Sequence, residues 1–223
     1  MRLIRSYVKR EGRLTSGQKK ALEKYWNRYG IDYDGSELDL TEKFTRIAPL
    51  VIDIGSGMGE TTIKIASEHP ENNYLSIEVH KPGVGSLLRQ INDHNLTNIR
   101  IMSHDIVEIL QNSLPGRCVD MVYIFFPDPW PKKKHFKRRL INDSFLEKLK
   151  YKLKPNARIY ISTDWINYAE HILEAFSKNG HFLNLSATNK FSPRPRWRPS
   201  TKFELRGEKL GHDIFDFAWR YID

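Results

Sequence analysis

Four carboxylates stand at or near the ends of short apolar runs, and these positions suit them to bind a ligand. Glu78, Asp105 and Asp128 each follow a run of β-branched or aromatic residues, and Asp53 lies inside an earlier run, Leu50–Ile54. In an open α/β sheet, such positions line the crevice at the carboxyl ends of the strands, where ligands bind. Each could instead cap a helix, and for Asp105 that is a strong alternative. The four carboxylates taken together are harder to explain as helix caps.

A glycine turn follows the first of these runs. Gly55, Gly57 and Gly59 come directly before a segment of helix length. Glycines allow a ligand to approach the backbone, and a helix N-terminus offers free amides, although such turns also form for tight packing alone. Glu78 follows about 20 residues later, the distance at which a carboxylate reaches ribose hydroxyls in this kind of sheet. The pattern favours a ligand that contains a ribose.

The details of the turn narrow the choice of ligand. Its glycines follow GxGxG spacing and not the GxGxxG of the dinucleotide fingerprint, and no P-loop lysine follows them. Asp53, two residues before Gly55, would repel a pyrophosphate but suits a ligand that carries a cationic amino group. These features favour S-adenosylmethionine over NAD or ATP.

The elements that must position these residues alternate along the chain, which predicts a parallel α/β sheet. The expected helices are 18–28, a segment ending near 68, one beginning near 82, 141–153 and 167–179. The expected strands are 50–54, 74–78, 99–102, 119–126, 158–162, 182–185 and 215–221. The last of these strands has an aromatic residue at every second position. We expect an N-terminal basic arm and helix, 1–40, and one main domain, 41–223.

The charge of the chain indicates a polyanionic partner. Its 36 Lys and Arg exceed its 27 Asp and Glu, for a net charge of +9. The cations cluster: six fall among the eight residues 132–139, and further groups lie at the N-terminus and in 190–202. Such clusters are typical of a nucleic-acid footprint. Cys118 is the only cysteine, so no internal disulfide forms, and no apolar run is long enough to span a membrane.

Five segments in order resemble one enzyme family. They are DIGSGMGE (53–60), IEVHKPGV (77–84), FPDPWPKKKHFKRR (126–139), STDW (162–165) and TKFELRG (201–207). Together they are similar to the bacterial tRNA (guanine-N7)-methyltransferases, over roughly residues 45–220. Many methyltransferases share the glycine turn, whereas PDPWPKK with STDW and TKFE is much more specific.

The resemblance implies a Rossmann-like class I methyltransferase fold in the 41–223 domain. Its sheet would have seven strands, mostly parallel, with an antiparallel C-terminal strand and helices on both faces. The implied activity is transfer of a methyl group from S-adenosylmethionine to N7 of a guanine in the tRNA variable loop, nucleotide 46, giving 7-methylguanosine. We expect a cytoplasmic enzyme with a tRNA substrate, no bound metal, no membrane association and no obligatory protein partner, acting as a monomer or homodimer.

The resemblance also assigns roles to individual residues. Asp128 is the catalytic residue and also contacts the cofactor. The other positions are cofactor-binding Asp53, Gly55, Gly57, Gly59, Glu78 and Asp105, substrate-binding Lys132, Asp164, Thr201, Lys202, Phe203 and Glu204, and RNA-contacting Lys133, Lys134, His135, Lys137, Arg138 and Arg139.

The chemistry of guanine N7 agrees with these residues. The atom carries an in-plane lone pair and no proton, so its methylation needs alignment and no strong base, nucleophilic side chain or metal. Asp164 and Glu204 could accept hydrogen bonds from guanine N1–H and the exocyclic amine, which would reject adenine. Alternatively, Asp164 caps a helix and Glu204 pairs with Arg206 or Lys202. Trp130 could stack on a base or belong to the core.

Three other functions remain open from the residues alone. An NAD-dependent oxidoreductase would share the sheet and Glu78. A non-catalytic RNA-binding module could keep a relict cofactor fold, although the intact acidic residues at the strand ends argue against that. A class I methyltransferase acting on another RNA or on a protein is the third, and the TKFE and PDPW segments argue against it.

Overall fold

A computed structural model describes residues 5–7, 12–209 and 211–223, apart from the side chains of Lys202, Phe203 and Glu208. Most of the expected basic arm, residues 1–4 and 8–11, lies outside the described residues. The strands are β1 (Gly30–Ile31), β2 (Leu50–Ile54), β3 (Asn73–Ile77), β4 (Ile99–Met102), β5 (Val119–Phe125), β6 (Leu153–Thr163), β7 (Phe182–Asn184) and β8 (Phe215–Tyr221). They form one sheet in the order β1-β4-β3-β2-β5-β6-β8-β7.

The helices alternate with these strands as the sequence pattern predicts. They are α1 (Ser16–Tyr29), α2 (Leu40–Phe44), α3 (Glu60–Glu68), α4 (Lys81–Asp93), α5 (Ile106–Asn112), α6 (Asp143–Lys150), α7 (Ile166–Asn179) and α8 (Lys202–Lys209), with a 3₁₀ helix at Lys133–Arg138. Gly180 ends α7 with φ of +74°, in the left-handed conformation that suits glycine.

The expected sheet is confirmed. The strands from β1 to β6 pair in parallel, and β8 runs antiparallel to both β6 and β7. Every residue of β2 and β3 is buried, which is typical of parallel strands covered on both faces. In β8 the alternation seen in the sequence buries Phe217, Trp219 and Tyr221.

Helices cover both faces of the sheet, as expected. On one face α1, α3 and α4 bury Ala21, Ile63 and Leu87 against one apolar cluster. On the other face α5, α6 and α7 bury residues such as Phe145 and Ile172 in a second cluster. The large apolar area removed from water on each face stabilises the sheet and fixes its strand ends.

The N-terminal segment contributes to the same sheet. β1 adds a two-residue parallel strand beside β4, an eighth strand that the sequence pattern does not signal. α1 begins with a capping box between Thr15 and Gln18 and packs closely against α4, where a Cβ on Gly85 would lie 2.8 Å from the Gln18 carbonyl oxygen. Residues 16–31 are therefore integrated with the sheet rather than separate from it.

Two short helical elements near the carboxyl edge of the sheet are also absent from the sequence expectations. The 3₁₀ helix carries most of the basic run after β5, and α8 carries the TKFE segment. Among the described residues, no helix is long and apolar enough to cross a bilayer. Nor do the His, Cys, Asp and Glu side chains of this described part form a group of three that could hold a metal ion.

Candidate functional site

The predicted carboxylates lie at one edge of the sheet. Asp105, Glu78, Asp128 and Asp164 follow β4, β3, β5 and β6, and Asp53 is the fourth residue of β2, which lies between β3 and β5. The chain order of the strands reverses between β3 and β5, on either side of β2. Such a switch point creates a crevice at the carboxyl ends of the strands. The structure therefore places these residues along the edge where open α/β sheets bind ligands.

The glycine turn leaves space for a ligand beside its backbone. Gly55, Gly57 and Gly59 all have positive φ, and Gly59 is the N-cap residue of α3. A Cβ on Gly55 or Gly57 would meet nothing within 4 Å, whereas one on Gly59 would lie 2.7 Å from Leu87. The first two glycines thus border open space, and the third is required for packing against α4.

Glu78 is tied to this turn. Its carboxylate accepts hydrogen bonds from the backbone N–H of Gly57 and of His80, both at 2.8 Å. The side chain is buried, and burial raises its pKa. Each carboxylate oxygen retains a second lone pair, so Glu78 can still accept hydrogen bonds from ligand hydroxyls.

Asp53 lies beneath the turn as a buried carboxyl group. It accepts a hydrogen bond from the Thr62 hydroxyl on α3. Burial raises its pKa from 3.8 to about 6, the Thr62 bond opposes this rise, and the charge of Glu78 adds to it. The pair of carboxyl groups gives this part of the crevice a negative potential, which suits a cationic ligand.

Asp105 is a helix cap, the alternative that the sequence left open. Its side chain accepts the Val107 N–H at 2.9 Å at the start of α5, and it is buried. Burial raises the pKa of Tyr7 and the charge of Asp105 adds to this rise, whereas Arg5 opposes it. The cofactor contact of Asp105 stays a prediction.

Asp128 projects from a tight turn at the end of β5. It is exposed between Pro127 and Pro129. Phe126 and Trp130, which flank this segment, both have positive φ, at +54° and +45°. Prolines restrict the backbone, so the turn holds the carboxylate in a defined place.

The basic run divides into an exposed part and a buried part. Lys132, Lys133, Lys134 and Lys137 are exposed, and His135 and Arg138 are half-buried. Desolvation and the neighbouring cations lower the pKa of His135. These six residues are accessible to an anionic partner.

Arg139 does not belong to this surface, which corrects the RNA contact expected for it. It is 2% exposed. Its guanidinium donates to the carbonyl oxygens of Pro129 and Asn167 and to Asn167 Oδ1, and lies 4.9 Å from the ring centroid of Tyr168. Arg139 therefore fixes the PDPW turn to α7.

Trp130 is not a core residue. Its ring is half-buried, with the Arg138 guanidinium 4.9 Å from the ring centroid and His135 packed edge-on. Its Nε1–H donates to the carbonyl oxygen of Ser6 at 2.9 Å. The N-terminal arm thus contacts the end of β5 through Trp130.

Asp164 faces α8 and is not a helix cap. The N-terminal cap of α7 is Trp165, and it makes no side-chain capping bond. Asp164 is half-buried, 3.7 Å from His212 Nδ1, and its Oδ2 would lie 3.4 Å from a Cβ on Gly207. The STDW and TKFELRG segments are therefore neighbours.

Glu204 is buried, which corrects the direct guanine contact expected for it, and its arginine partners are not the expected Arg206. Its side chain is 2% exposed. It pairs with Arg198 at 2.7 and 3.1 Å and with Arg194 at 3.1 Å. It also forms a capping box with Thr201, each accepting the other's backbone N–H. Of the remaining TKFE residues, the side chains of Lys202 and Phe203 lie outside the described part of the chain.

Sequence reasoning missed the residues that hold the 191–200 loop. Arg198 falls within a basic cluster, yet its side chain is 0% exposed and contacts Asp216 as well as Glu204. Trp197 lies 4.9 Å from the ring centroids of Tyr123 and Tyr160. Spacing along the chain gives no signal for such long-range contacts.

Comparisons with known proteins agree with this geometry. A methyltransferase family model matches residues 47–217. A tRNA (guanine-N(7)-)-methyltransferase of Nitrosospira multiformis is 51% identical over 219 residues, covering 98% of this chain and 95% of that protein. One from Yersinia pestis is 50% identical over the same share of this chain and 92% of its own. The chain belongs to the tRNA (guanine-N7)-methyltransferase family.

Solved structures support the fold. The 16S rRNA (adenine(1408)-N(1))-methyltransferase of Catenulisporales acidiphilia, solved with S-adenosylmethionine, has a TM-score of 0.56 at 18% identity, with 86% of this chain and 93% of that chain covered. Phosphoethanolamine N-methyltransferase 2 of Haemonchus contortus has a TM-score of 0.52 at 14% identity, with 82% and 52% covered. The fold is that of class I S-adenosylmethionine-dependent methyltransferases, as expected.

Proposed function

We propose that this protein transfers a methyl group from S-adenosylmethionine to N7 of guanine at nucleotide 46 in the tRNA variable loop. The product is 7-methylguanosine. The observation that carries the proposal is the position of Asp128. It stands at the end of β5, beside the strand that leads into the glycine turn, and directly before the exposed basic run.

The crevice on the β2 side of Asp128 fits the cofactor. The open space beside Gly55 and Gly57 admits a ligand close to the backbone. Glu78 would accept the ribose hydroxyls, and Asp53 would face the cationic amino group, with Asp105 further along the edge. Bound S-adenosylmethionine supplies a methyl group on a sulfonium sulfur, and its transfer moves positive charge onto the purine ring.

Asp128 would stabilise that charge. Guanine N7 needs no deprotonation, so the carboxylate acts as a fixed negative charge rather than as a base. Its place between two prolines limits the reorganisation needed during transfer. Among the acidic side chains of the proposed site, Asp128 is exposed, whereas Asp53, Glu78 and Asp105 are buried.

Guanine recognition would fall to Asp164, together with Thr201 and Lys132. Asp164 is half-buried and can accept from N1–H or the 2-amino group of guanine, neither of which adenine has. Lys132 is exposed and can donate to O6 or to a phosphate. We assign Lys202 and Phe203 to this site from the family motif alone.

The exposed basic run would hold the tRNA backbone. Lys133, Lys134 and Lys137, with Arg138 and His135, form a cationic surface directly after the catalytic turn. Lysines that neutralise phosphates give affinity without sequence specificity. The base would then be placed by the crevice and not by the basic run.

We further propose that the enzyme works in the cytoplasm as a monomer or homodimer without an obligatory protein partner. Residues 41–223 would form the methyltransferase domain, with 1–40 as its basic extension.

A transfer assay on an unmodified tRNA transcript tests the proposal. Radiolabel from the methyl group of S-adenosylmethionine should enter the wild-type transcript and be absent from a transcript with adenine at nucleotide 46. Binding of NAD without binding of S-adenosylmethionine would instead favour an oxidoreductase. Equal labelling of both transcripts would mean a different RNA target.

A further inference from the structure

Arg198 is a buried cation at the junction of three elements. Its side chain is 0% exposed. The guanidinium donates to Glu204 on α8 at 2.7 and 3.1 Å and to Asp216 on β8 at 3.1 Å. Asp216 also accepts a hydrogen bond from the Ser162 hydroxyl on β6. Arg198 therefore connects α8, β8 and β6.

The charges of this network balance. Arg194, which is partly exposed, forms an ion pair with Glu204 at 3.1 Å, so that two guanidinium groups face two carboxylates. Burial alone would lower the pKa of Arg198, but Glu204 and Asp216 raise it, so the side chain stays charged. Arg194 also donates to the Arg198 carbonyl oxygen and to the Ser200 hydroxyl, which closes the loop on itself.

The same guanidinium lies under the catalytic turn. It is 5.6 Å from the ring centroid of Phe125 and 5.9 Å from that of Phe126. Phe126 has positive φ and stands two residues before Asp128. Arg198 is thus packed between the turn that carries Asp128 and the helix that follows Thr201.

We propose that Arg198 is a positioning residue, which sets the relative placement of Asp128 and the guanine-recognition segment. The proposal rests on the proposed function and adds to it how the two halves of the site are aligned. Glu204 then acts through Arg198, by anchoring α8, and does not touch the base. Asp164, which lies against α8 at Gly207, is positioned by the same anchor.

The first test is Arg198→Lys. A lysine keeps the charge but cannot bridge Glu204 in a bidentate manner and reach Asp216 as well. Because small displacements of reacting groups cost much rate, kcat should fall roughly 10²-fold. The Kd for S-adenosylmethionine and the KM for tRNA should stay within about threefold of wild type. This split between kcat and the binding constants would not follow from general loss of folding.

The matched control is Arg158→Lys, the same change at an exposed position on β6. Methylation by wild type and by this control tests the proposed function. The ratio of kcat in Arg198→Lys to kcat in Arg158→Lys tests whether Arg198 positions the site. Equal kcat in the two variants would overturn the proposal. So would a loss that affects kcat and cofactor affinity alike.

A double variant tests whether Glu204 acts through Arg198. If Glu204 acts through Arg198, Arg198→Lys combined with Glu204→Gln should lose no more than about threefold beyond the worse single change. Losses that multiply would mean that Glu204 contacts the base independently, and would overturn the proposal.

If Arg198→Lys does not fold, a triple variant that replaces the buried charges with neutral side chains tests the proposal instead. Combining Arg198→Met, Glu204→Gln and Asp216→Asn removes the buried charges together, which avoids an unpaired buried carboxylate. This variant should bind S-adenosylmethionine and still show kcat lowered roughly 10²-fold. Wild-type kcat in it would show that the network does not position the site.

Discussion

The backbone N–H of Gly57 donates a 2.8 Å hydrogen bond to the carboxylate of Glu78, 21 residues along the chain. The other oxygen of the same carboxylate accepts the His80 N–H. Glu78 therefore fixes both the glycine turn at the end of β2 and the chain leaving β3. A side chain in this position shapes the glycine turn, beside which we propose that the cofactor binds.

Replacing Glu78 with Ala should weaken cofactor binding. The change removes acceptors for both the turn and the ribose, and hydrogen bonds to a charged group contribute about 1.5–3 kcal/mol each. The Kd for S-adenosylmethionine should rise on the order of 10–100-fold in equilibrium dialysis. Glu68→Ala, at the exposed end of α3, is the control and should bind like wild type. An unchanged Kd in Glu78→Ala would remove this residue from the cofactor site.

Asp53 should make the stability of the ligand-free protein depend on pH. Its folded pKa, about 6, lies above the ordinary 3.8, so the folded state binds the proton more tightly. Its contribution to stability is therefore complete below 3.8 and lost as the pH rises to about 6. Urea unfolding of wild type and Asp53→Asn across this range should show wild type losing stability relative to the variant. A constant difference would contradict the raised pKa.

Cofactor affinity should change with pH in the opposite sense. A cationic ligand favours the ionised form of Asp53, so the Kd of wild type for S-adenosylmethionine should fall as the pH rises through about 6. Burial also raises the pKa of Glu78, so some pH dependence should persist in Asp53→Asn. Identical pH profiles in wild type and variant would mean that Asp53 does not face the amino group.

Asp128→Asn should lower turnover with little change in binding. The variant keeps the size and polarity of the side chain but lacks the fixed charge that stabilises the cationic product. By comparison with other preorganised electrostatic groups, kcat should fall about 10²–10³-fold. Single-turnover methylation measures this, and Asp93→Asn, exposed at the end of α4, is the control. A kcat equal to that of the control would place catalysis elsewhere.

Changing Lys133 and Lys134 to Ala should weaken tRNA binding and flatten its salt dependence. Each lost phosphate contact lowers the slope of log K against log salt by about one. The control pair is Lys64→Ala with Lys178→Ala, both exposed and on other helices. Filter binding over a salt series compares the two. Equal slopes would mean that the 3₁₀ helix faces away from the RNA.

Arg139→Met should lower the stability of the fold and leave the salt dependence of tRNA binding unchanged. The residue is buried and donates three hydrogen bonds, so its loss should lower the free energy of unfolding by roughly 2–4 kcal/mol. Thermal unfolding should show this as a lower Tm. The salt slope for tRNA should stay at the wild-type value, and a flattened slope would restore Arg139 to the RNA surface.

The sequence predicts the strands and the crevice well because both depend on local patterns. β-branched runs, the glycine turn and the acidic residues after β3, β4 and β5 need no knowledge of distant contacts. The period-2 aromatic residues of β8 likewise report its one buried face. Fold and cofactor class could therefore be argued before the structure.

Contacts between distant segments are what the sequence could not provide. Arg139 and Arg198 look like members of basic surface clusters, but each donates hydrogen bonds to acceptors on other elements. Trp130 meets Ser6, 124 residues away. Composition cannot distinguish a cation that faces solvent from one that joins two elements, because both occur in the same basic runs.

The most direct test of the central claim is the position of the methyl group in the product RNA. An unmodified tRNA transcript treated with the enzyme and S-adenosylmethionine is cleaved chemically at 7-methylguanosine and sequenced. The account predicts one cleavage, at nucleotide 46 of the variable loop. Methylation at a different nucleotide, or at a guanine atom other than N7, would contradict it.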